Sequence, residues 1–210
     1  MMGAMARSTR TPPLRPRKTP TQPRSEQTVA ALLEAAAQVL ERDGLDGFNT
    51  NAVAERAGVS IGSLYQYFPG KDALTLALMR RENERFHAEA TRALSHASGS
   101  DALKQFISAC VRQQLLRPVL AHLLDVEQAR PALRKEAGSA SELYTILVGI
   151  LSRIDHQRWQ RLEVAAVDVL AIVRGMTDTA GERGETDVAG LQSRIEPAVF
   201  GYLGLGLGDP

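Results

Sequence analysis

Apolar residues recur every three or four positions along most of the chain, which is the spacing of one face of an α-helix. The first series contains Val29, Leu32, Leu33, Ala36, Val39 and Leu40. Ser25 precedes the series as a candidate N-cap, and Gly44 follows it as a candidate left-handed C-terminal cap. We therefore predict a first helix from about Ser25 to Gly44.

Two short helices separated by a tight turn are predicted next. A helix over residues 51–57, which Thr50 can cap, ends at Gly58. A second helix over residues 61–67, which Ser60 can cap, ends before a Pro-Gly pair. This order is the helix-turn-helix layout, in which the second helix is presented to the major groove of DNA.

Helical spacing continues through the rest of the chain. It predicts helices over about 71–95, 103–115, 139–154, 160–179 and 188–202, with shorter helices set off by Pro118 and Pro131. In the first of these we expect the side chains of Arg80, Arg81, Glu82 and Glu84 to be solvated. The helix at 160–179 is apolar over more than one stripe, so it must be buried on two sides. Since no alternating strand pattern is present, the predicted fold class is all-α.

Composition and charge exclude some protein classes. Hydrophobic residues make up 44% of the 210 positions and charged residues 23%, which is typical of a globular protein. No apolar run approaches the ~18 residues of a membrane span, and the start lacks the apolar stretch of a secretory signal. We expect a cytoplasmic protein with no membrane partner. The single cysteine, Cys110, cannot form an intrachain disulfide and is expected to be a small buried apolar residue.

The first 24 residues form a basic segment that contains no acidic residue. Five prolines in it disfavour the amphipathic helix of an organelle transit peptide, so a disordered tail is the better interpretation. Its arginines could enter a neighbouring minor groove, strengthen nonspecific attraction to DNA or simply remain solvated.

The helix at 61–67 is predicted to have an inner and an outer face. On a wheel of about 100° per residue, the apolar side chains of Ile61, Leu64 and Phe68 point towards the core. The outer face is centred on Gly62 and Gln66, flanked by Ser63 and Tyr65, with Tyr67 near the edge. Such a short, flat face can lie in a major groove, where amide and hydroxyl groups bond base edges and tyrosine hydroxyls reach phosphates. The alternative is that the tyrosines only pack between helices.

The run AALLEAAAQVLERDGLDGFNTNAVAERAGVSIGSLYQYFPGKDAL, residues 30–74, resembles the DNA-binding domain of tetracycline-repressor-like (TetR-family) transcription regulators. The resemblance includes the glycine turn after the first helix, the T-x-x-x-A-x-x-A-G-V-S segment, the G-S-L-Y-x-Y-F helix and the following lysine. After the basic tail at 1–24, it implies a DNA-binding domain at 25–71 and a ligand-binding and dimerisation domain at 72–210.

The resemblance also implies roles for individual residues. Phosphate contacts are expected from Thr50, Tyr65, Tyr67 and Lys71, and groove-facing positions are Asn51, Ile61, Gly62, Ser63 and Gln66, with Ser60 at the start of the reading helix. Many relatives have threonine where this chain has Asn49. Ile61 can touch a thymine methyl group but cannot hydrogen-bond a base.

For the second half, the resemblance implies an all-helical regulatory domain. Its last two helices, at 160–179 and 188–202, would pair with their counterparts in a homodimer, and Ala165, Ala166 and Gly175 would permit close helix approach. A two-fold dimer suits a palindromic operator in double-stranded DNA. The implied function is a repressor that a small-molecule effector releases from its operator. Candidate effector-binding residues are Phe86, Phe106, Cys110, His122, Tyr144 and Met176, although each could be ordinary core.

The sequence does not favour an enzyme. The four histidines show no metal-ligand spacing, no glycine-rich phosphate loop is present, and Cys110 has no evident base, so we expect no metal, cofactor or catalytic residue. The alternative to a ligand-responsive repressor is a DNA-binding architectural or regulatory protein that needs no ligand. Loss of operator binding on addition of a ligand would distinguish the two.

Overall fold

The computed structural model describes residues 23–134, 141–154 and 161–206. Within these ranges every regular element is a helix, which confirms the all-α prediction. The helices are α1 (Pro23–Gly47), α2 (Thr50–Arg56), α3 (Ile61–Tyr67), α4 (Lys71–Arg92), α5 (Gly99–Leu115), α6 (Pro118–Gln128), α7 (Pro131–Arg134), α8 (Ser141–Leu151), α9 (Leu162–Glu182) and α10 (Val188–Tyr202), with a 3-10 turn at Ala93–Ser95 after α4. No helix in the described ranges is long and apolar enough to cross a membrane. The predicted basic tail lies outside the described residues, apart from Pro23 and Arg24.

The chain forms two compact units, residues 1–78 and 79–210. The division lies within α4, whereas the domain boundary expected from the sequence was at its start, between residues 71 and 72. Each unit contains its own buried apolar residues.

The first unit is built on α1, with α2 packed against α1 and α3 packed against α2. Its fully or almost fully buried side chains include Leu32, Val39, Leu40, Phe48, Val53, Leu64 and Phe68. The regular helix breaks at Gly44, which has a φ of +65° and a ψ of −168°. The positive φ suits glycine, but the ψ differs from that of the left-handed cap that the sequence predicted. The backbone then makes one further turn to Gly47 before α2 begins.

The two helix starts of the helix-turn-helix differ in how well they were predicted. Ser60 caps α3 as expected, since its Oγ accepts a hydrogen bond from the Ser63 backbone N–H at 3.1 Å. The cap of α2, however, is Asn49 and not Thr50: Asn49 Oδ1 accepts from the Ala52 N–H at 3.0 Å. The prediction was one residue late because both residue types can cap, and only the backbone conformation chooses between them.

The second unit is centred on α5, α9 and α10, which pack on one another, while α8 packs on α5 and α9. On α10 the predicted apolar series is buried as expected, comprising Leu191, Ile195, Val199 and Leu203. Ala165 and Ala166 of α9 are also buried within this core. The expectation that these two alanines serve close approach of a second subunit is therefore wrong, because the chain's own helices cover them.

Arg81 and Glu82 on α4 correct another expectation. Their side chains are each only 13% exposed and form an ion pair at 2.5 Å, whereas the sequence predicted solvated charges. Arg85 Nη1 lies 3.3 Å from the same Glu82 carboxylate. The spacing of residues along α4 did not reveal this burial.

Candidate nucleic-acid interface and helical cavity

The α3 surface consists of the exposed residues Ile61, Gly62, Tyr65 and Gln66. Leu64 and Phe68, on the opposite side, are 0% and 1% exposed and fasten the helix to its unit. The prediction of an inner and an outer face is correct for these residues. It is wrong for Ile61 as a core anchor, because this side chain is 37% exposed. Ile61 is the first residue of α3, so no preceding turn of the helix covers it.

Tyr65 links α3 to the beginning of α2. Its hydroxyl lies 3.2 Å from the Thr50 hydroxyl, and either oxygen can donate the hydrogen bond. Since Tyr65 is 42% exposed, the pair lies where an incoming phosphate could accept a hydrogen bond from the remaining hydroxyl proton. Tyr65 thus contacts α2 and is also exposed, so the phosphate role stays a prediction beside packing between helices. Tyr67 is half-buried, and both of its proposed roles remain compatible with that position.

Ser63 is half-buried beside the cap of α3. Its hydroxyl lies 2.9 Å from the Ser60 hydroxyl, which also accepts the Ser63 backbone N–H. A hydroxyl group has one proton to donate and two lone pairs that accept, so Ser63 can still bond a second group. Asn51, the other groove-facing position of α2, is exposed.

Lys71 has structural partners that the sequence did not reveal. Its Nζ donates a hydrogen bond to the Leu45 carbonyl oxygen at 3.1 Å and lies 5.3 Å from the centre of the Phe48 ring. An ammonium group has three N–H donors, so the contact with Leu45 leaves capacity for a phosphate oxygen. Lys71 thus contacts the last turn of α1, at Leu45, and Phe48 just after it, in addition to its expected role at DNA. Lys71 and Leu45 are 26 residues apart, so the spacing of neighbouring residues along the chain cannot reveal their contact.

A second long-range contact joins α1 and α2. Arg56 Nε donates to Gln38 Oε1 at 2.7 Å, across 18 residues. Together with the Asn49 cap, this bond fixes the position of α2 against α1. Neither residue was a candidate from the sequence, because a single arginine and a single glutamine on separate helices carry no pattern.

The second unit contains a cavity of about 280 Å³ between α4, α5, α6, α8 and α9, hereafter the α4–α9 cavity. Its apolar lining comprises Met79, Phe86, Cys110, Ala121, Leu124, Leu143, Leu170 and Val173. Its polar lining comprises Glu82, Asn83, His87, Gln113, Gln114, Asp125, Gln128, Arg174, Thr177 and Asp178. The cavity therefore has an apolar part and an extensive polar part.

Of the six effector-binding candidates, the cavity brings together Phe86 and Cys110. The other four lie outside its lining, for different reasons. Phe106 is completely buried in the core, Tyr144 and Met176 are half-buried against that core, and His122 is exposed on α6. A single helical face contains both core and cavity residues, so spacing alone could not separate them.

The cavity residues that the sequence missed include all of its polar ones and six of its apolar ones, among them Leu124, Leu170 and Val173. The carboxamides of Asn83, Gln113, Gln114 and Gln128 and the carboxylates of Asp125 and Asp178 all line it. Carboxamides and carboxylates on a helix give no apolar or aromatic signal, so the sequence did not indicate these side chains as candidates. The only available signal was weak: Gln113 and Gln114 directly follow the buried series of α5.

Burial raises the pKa of the Cys110 thiol to about 12. The nearby Glu89 charge makes a smaller contribution to this rise, since a thiolate there would be repelled. At neutral pH the group is therefore a thiol, which is a poor nucleophile. Cys110 acts as a small apolar surface in the cavity wall.

The charged groups of the cavity differ in their partners. Glu82 is held by Arg81 and Arg85, as described above, and His87 Nδ1 lies 2.6 Å from a Glu142 carboxylate oxygen. Arg174 Nε lies 3.2 Å from Asp178 Oδ2 on the next turn of α9. Each of these cavity side chains thus has a partner of opposite or complementary charge within the protein.

Asp125 differs from them. Within the described ranges its carboxylate makes no hydrogen bond and no ion pair, and the residue is exposed at the edge of the cavity, where water can hydrate it. Loss of hydration raises its pKa, and the charge of Asp178 raises it further, whereas Arg174 and His122 lower it. The raised pKa thus reflects partial loss of hydration first and repulsion by Asp178 second, which Arg174 and His122 offset only in part.

Comparison with known proteins identifies the first unit. Residues 32–78 match the model of the family described as bacterial regulatory proteins, tetR family. Over these residues the chain belongs to the tetR family. The TetR-family segment contains α2, α3, Lys71 and the α3 surface, and it ends at the same residue as the first compact unit.

Characterised relatives extend the similarity only in part. The transcriptional repressor KstR of Mycolicibacterium smegmatis is 40% identical over 62 residues, which are 30% of each chain. KstR of Mycobacterium tuberculosis is 29% identical over 113 residues, which are 53% of this chain and 50% of KstR. The chain thus matches half or less of the length of these TetR-type repressors.

Solved structures show a fold similar to that of the whole chain. The fatty acid degradation regulator FadR of Bacillus halodurans superposes with a TM-score of 0.71 at 17% identity, covering 87% of this chain and 97% of FadR. A TetR-like regulator of Rhodococcus sp. RHA1 gives 0.66 at 21% identity, covering 89% and 99%. FadR of Bacillus subtilis, in complex with stearoyl-CoA, gives 0.69 at 19%, covering 81% and 96%. The two-unit helical fold is therefore similar to that of these regulators, while the described lining residues of the α4–α9 cavity, from Met79 onward, lie beyond the matched family segment.

Proposed function

We propose that this chain is a ligand-responsive transcriptional repressor that binds palindromic operator DNA as a homodimer and is released by a small-molecule effector. The observation that carries the proposal is the α3 surface: a seven-residue helix of a TetR-family segment, anchored by Leu64 and Phe68, with its polar and small residues exposed. A helix fastened on one side and open on the other is what entry into a major groove requires.

On DNA, the exposed residues divide between bases and backbone. Gln66 offers an amide that can pair bidentately with adenine, and Ile61 offers an apolar contact to a thymine methyl group. Gly62 allows close approach of the helix backbone, while Ser63 and Asn51 supply further polar contacts. This assignment makes α3 the source of sequence preference.

The phosphate contacts come from the edges of the same unit. The Thr50–Tyr65 hydroxyl pair and the Lys71 ammonium group provide hydrogen-bond donors, and Tyr67 and Ser60 lie on the same short helix or at its start. Phosphate contacts set affinity and register but carry no base information. The two groups of residues therefore have separable effects, which an experiment can measure.

Dimerisation through α9 and α10 is supported by a stripe of exposed small and apolar residues. On α9 it contains Val164, Val167, Ala171 and Gly175, and on α10 it contains Ala198, Gly201 and Tyr202. Val167 is 54% exposed and Tyr202 45%, which is unusual for apolar side chains repeated along one helix pair. A second copy of the chain would cover them, and its two-fold symmetry would match a palindrome.

Response to an effector is supported by the α4–α9 cavity. Its volume of about 280 Å³ is near the lower end of ligand pockets, which span roughly 300–1,000 Å³. Helix α4 carries Lys71 at its first residue and the cavity residues Met79, Glu82 and Phe86 farther along. An effector that binds the DNA-free state about 5- to 150-fold more tightly would supply a typical allosteric coupling.

Selection from a pool of random duplexes, using the full chain, tests the DNA part of the proposal. We expect a palindromic consensus, and we expect the complex to contain two chains per duplex when its mass is measured in solution. If repeated selection enriches no sequence, the repressor proposal is wrong. If a consensus appears but no small molecule changes the affinity, the ligand-independent regulator is the better description.

A further inference from the structure

One carboxylate in the lining of the α4–α9 cavity has no partner of opposite charge among the described residues. Three carboxylates line it, from Glu82, Asp125 and Asp178, against one guanidinium, from Arg174. Glu82 is compensated by Arg81 and Arg85, and Asp178 shares the Arg174 side chain, which is 74% exposed and therefore largely hydrated. Asp125 is left without a hydrogen bond or ion pair in the part of the chain that the structure describes.

Three cavity carboxamides are similarly available. Gln113 and Gln114 on α5 and Gln128 on α6 make no hydrogen bond to any described residue, although all three line the cavity. Each has a carbonyl oxygen that accepts hydrogen bonds and an NH2 group that donates them, so it is the carboxylate of Asp125 that favours a cationic donor over an anion. Together with Asp125, these oxygens form a set of acceptors that the protein itself does not satisfy.

The apolar wall supplies the other half of a binding site. Phe86, Leu124, Leu170 and Val173 line the same space as these acceptors. A ligand that fits both parts has an apolar body and a group that donates several hydrogen bonds. The small volume restricts the body to a compact one.

We infer that the effector is a compact amphipathic amine, whose protonated nitrogen binds Asp125 and the neighbouring carboxamide oxygens while its apolar body packs on Phe86, Leu170 and Val173. This inference rests on the proposed role of the cavity as the effector site. A carboxylate or phosphate group would face Asp125 and Asp178, and Arg174, the one arginine among the described lining residues, already pairs with Asp178. The raised pKa of Asp125 agrees with this, because an ammonium group would stabilise its charged form.

Three probes with one carbon skeleton test the inference: 3-phenylpropylamine, 3-phenylpropan-1-ol and 3-phenylpropanoic acid. Binding to the full chain at neutral pH is measured by calorimetry. We expect the amine to bind at least about tenfold more tightly than the alcohol, which is the change that a charged hydrogen bond typically makes. The acid should bind more weakly than the alcohol.

Variants then locate the amine within the cavity. Asp125→Asn should lower the affinity for the amine to that of the alcohol and leave the affinity for the alcohol unchanged. Glu182→Gln, which neutralises an exposed carboxylate at the end of α9 and away from the cavity lining, is the matched control and should change neither. If Asp125→Asn fails to fold, Asp178→Asn serves instead, since it frees the Arg174 guanidinium and should also weaken amine binding.

Equal or stronger binding of the acid than of the amine would overturn the inference, as would full retention of amine affinity in Asp125→Asn. The result is separable from the proposed repressor function. If the amine binds as expected but leaves operator affinity unchanged, the cavity assignment stands and the proposed release by this class of effector fails. If no operator can be selected, the ligand preference of the cavity is still measured by calorimetry.

Discussion

The two units of this protein differ in how their residues can be assigned roles. In the first, helix starts, turns and anchoring residues follow one another within a few positions, so that Gly58, Ser60 and Leu64 have the places their order along the chain indicates. In the second, the cavity is assembled from five helices far apart in sequence. Local order is informative where contacts are local, and it loses this value where packing brings distant residues together.

The largest expected effect is a loss of stability, and it distinguishes a core phenylalanine of the second unit from a phenylalanine of the cavity wall. Phe106→Ala should destabilise the chain by about 3–5 kcal/mol, because the side chain is completely buried in the core. Phe86→Ala, at the half-buried cavity wall, should cost less stability and instead weaken binding of the amine probe. Urea unfolding and calorimetry measure the two effects, and an equal loss of stability in both variants would contradict the distinction between core and cavity wall.

Gln66→Ala tests base recognition by the α3 surface. The variant should lose about 1–3 kcal/mol of discrimination at one base pair in each half-site, because a bidentate amide contact is removed. Competition gel shifts with single-base operator variants measure this. The assignment of Gln66 to a base is wrong if the variant and the wild type rank all operators in the same order.

Tyr65→Phe tests the phosphate assignment of the Thr50–Tyr65 pair while keeping the aromatic ring. Affinity for every duplex should fall by a similar factor, on the order of tenfold, without a change in consensus. Lys71→Ala should act in the same direction and also reduce the slope of affinity against salt by about one unit, because a cation is removed from the interface. A steady salt slope in Lys71→Ala would show that its ammonium group serves only Leu45 and Phe48.

The smallest expected effect separates the two candidate caps of α2. Asn49→Ala should lower the free energy of unfolding by about 1 kcal/mol, because the Ala52 N–H loses its acceptor. Thr50→Ala leaves that bond intact and should cost less stability, while it reduces DNA affinity through loss of the Tyr65 contact. Comparable destabilisation by both substitutions would mean that Thr50 contributes to the cap.

The DNA-facing part of the site could be predicted from the sequence in most of its features. Bounds of α3, its Ser60 cap and the burial of Leu64 and Phe68 all depend on residues within one or two helical turns. The errors, at Ile61 and Thr50, concern helix ends, where a side chain loses the coverage of a neighbouring turn or shares its capping chemistry with the next residue. The roles in DNA binding stay predictions.

In the effector half, the spacing of apolar residues correctly indicated helices but not what lies on each face. Phe86 and Phe106 have the same pattern along the chain, yet one lines the cavity and the other fills the core. Arg81 and Glu82 were expected in solvent and form a largely buried pair. These outcomes depend on which helix packs on which, and the periodicity of a single helix carries no information about its packing partners.

What the sequence by itself determined is therefore the local framework: the helices, the turn at Gly58, the α10 core face and the resemblance that points to DNA. Only the tertiary structure decided that Lys71 is held by a carbonyl 26 residues away, that Ala165 and Ala166 belong to the core, and that Asp125 faces a cavity without a partner. The physical reason is the distance along the chain over which the interactions act. Caps, turns and helical faces arise from interactions over three or four residues, whereas a cavity and its charge balance exist only after several helices have packed together.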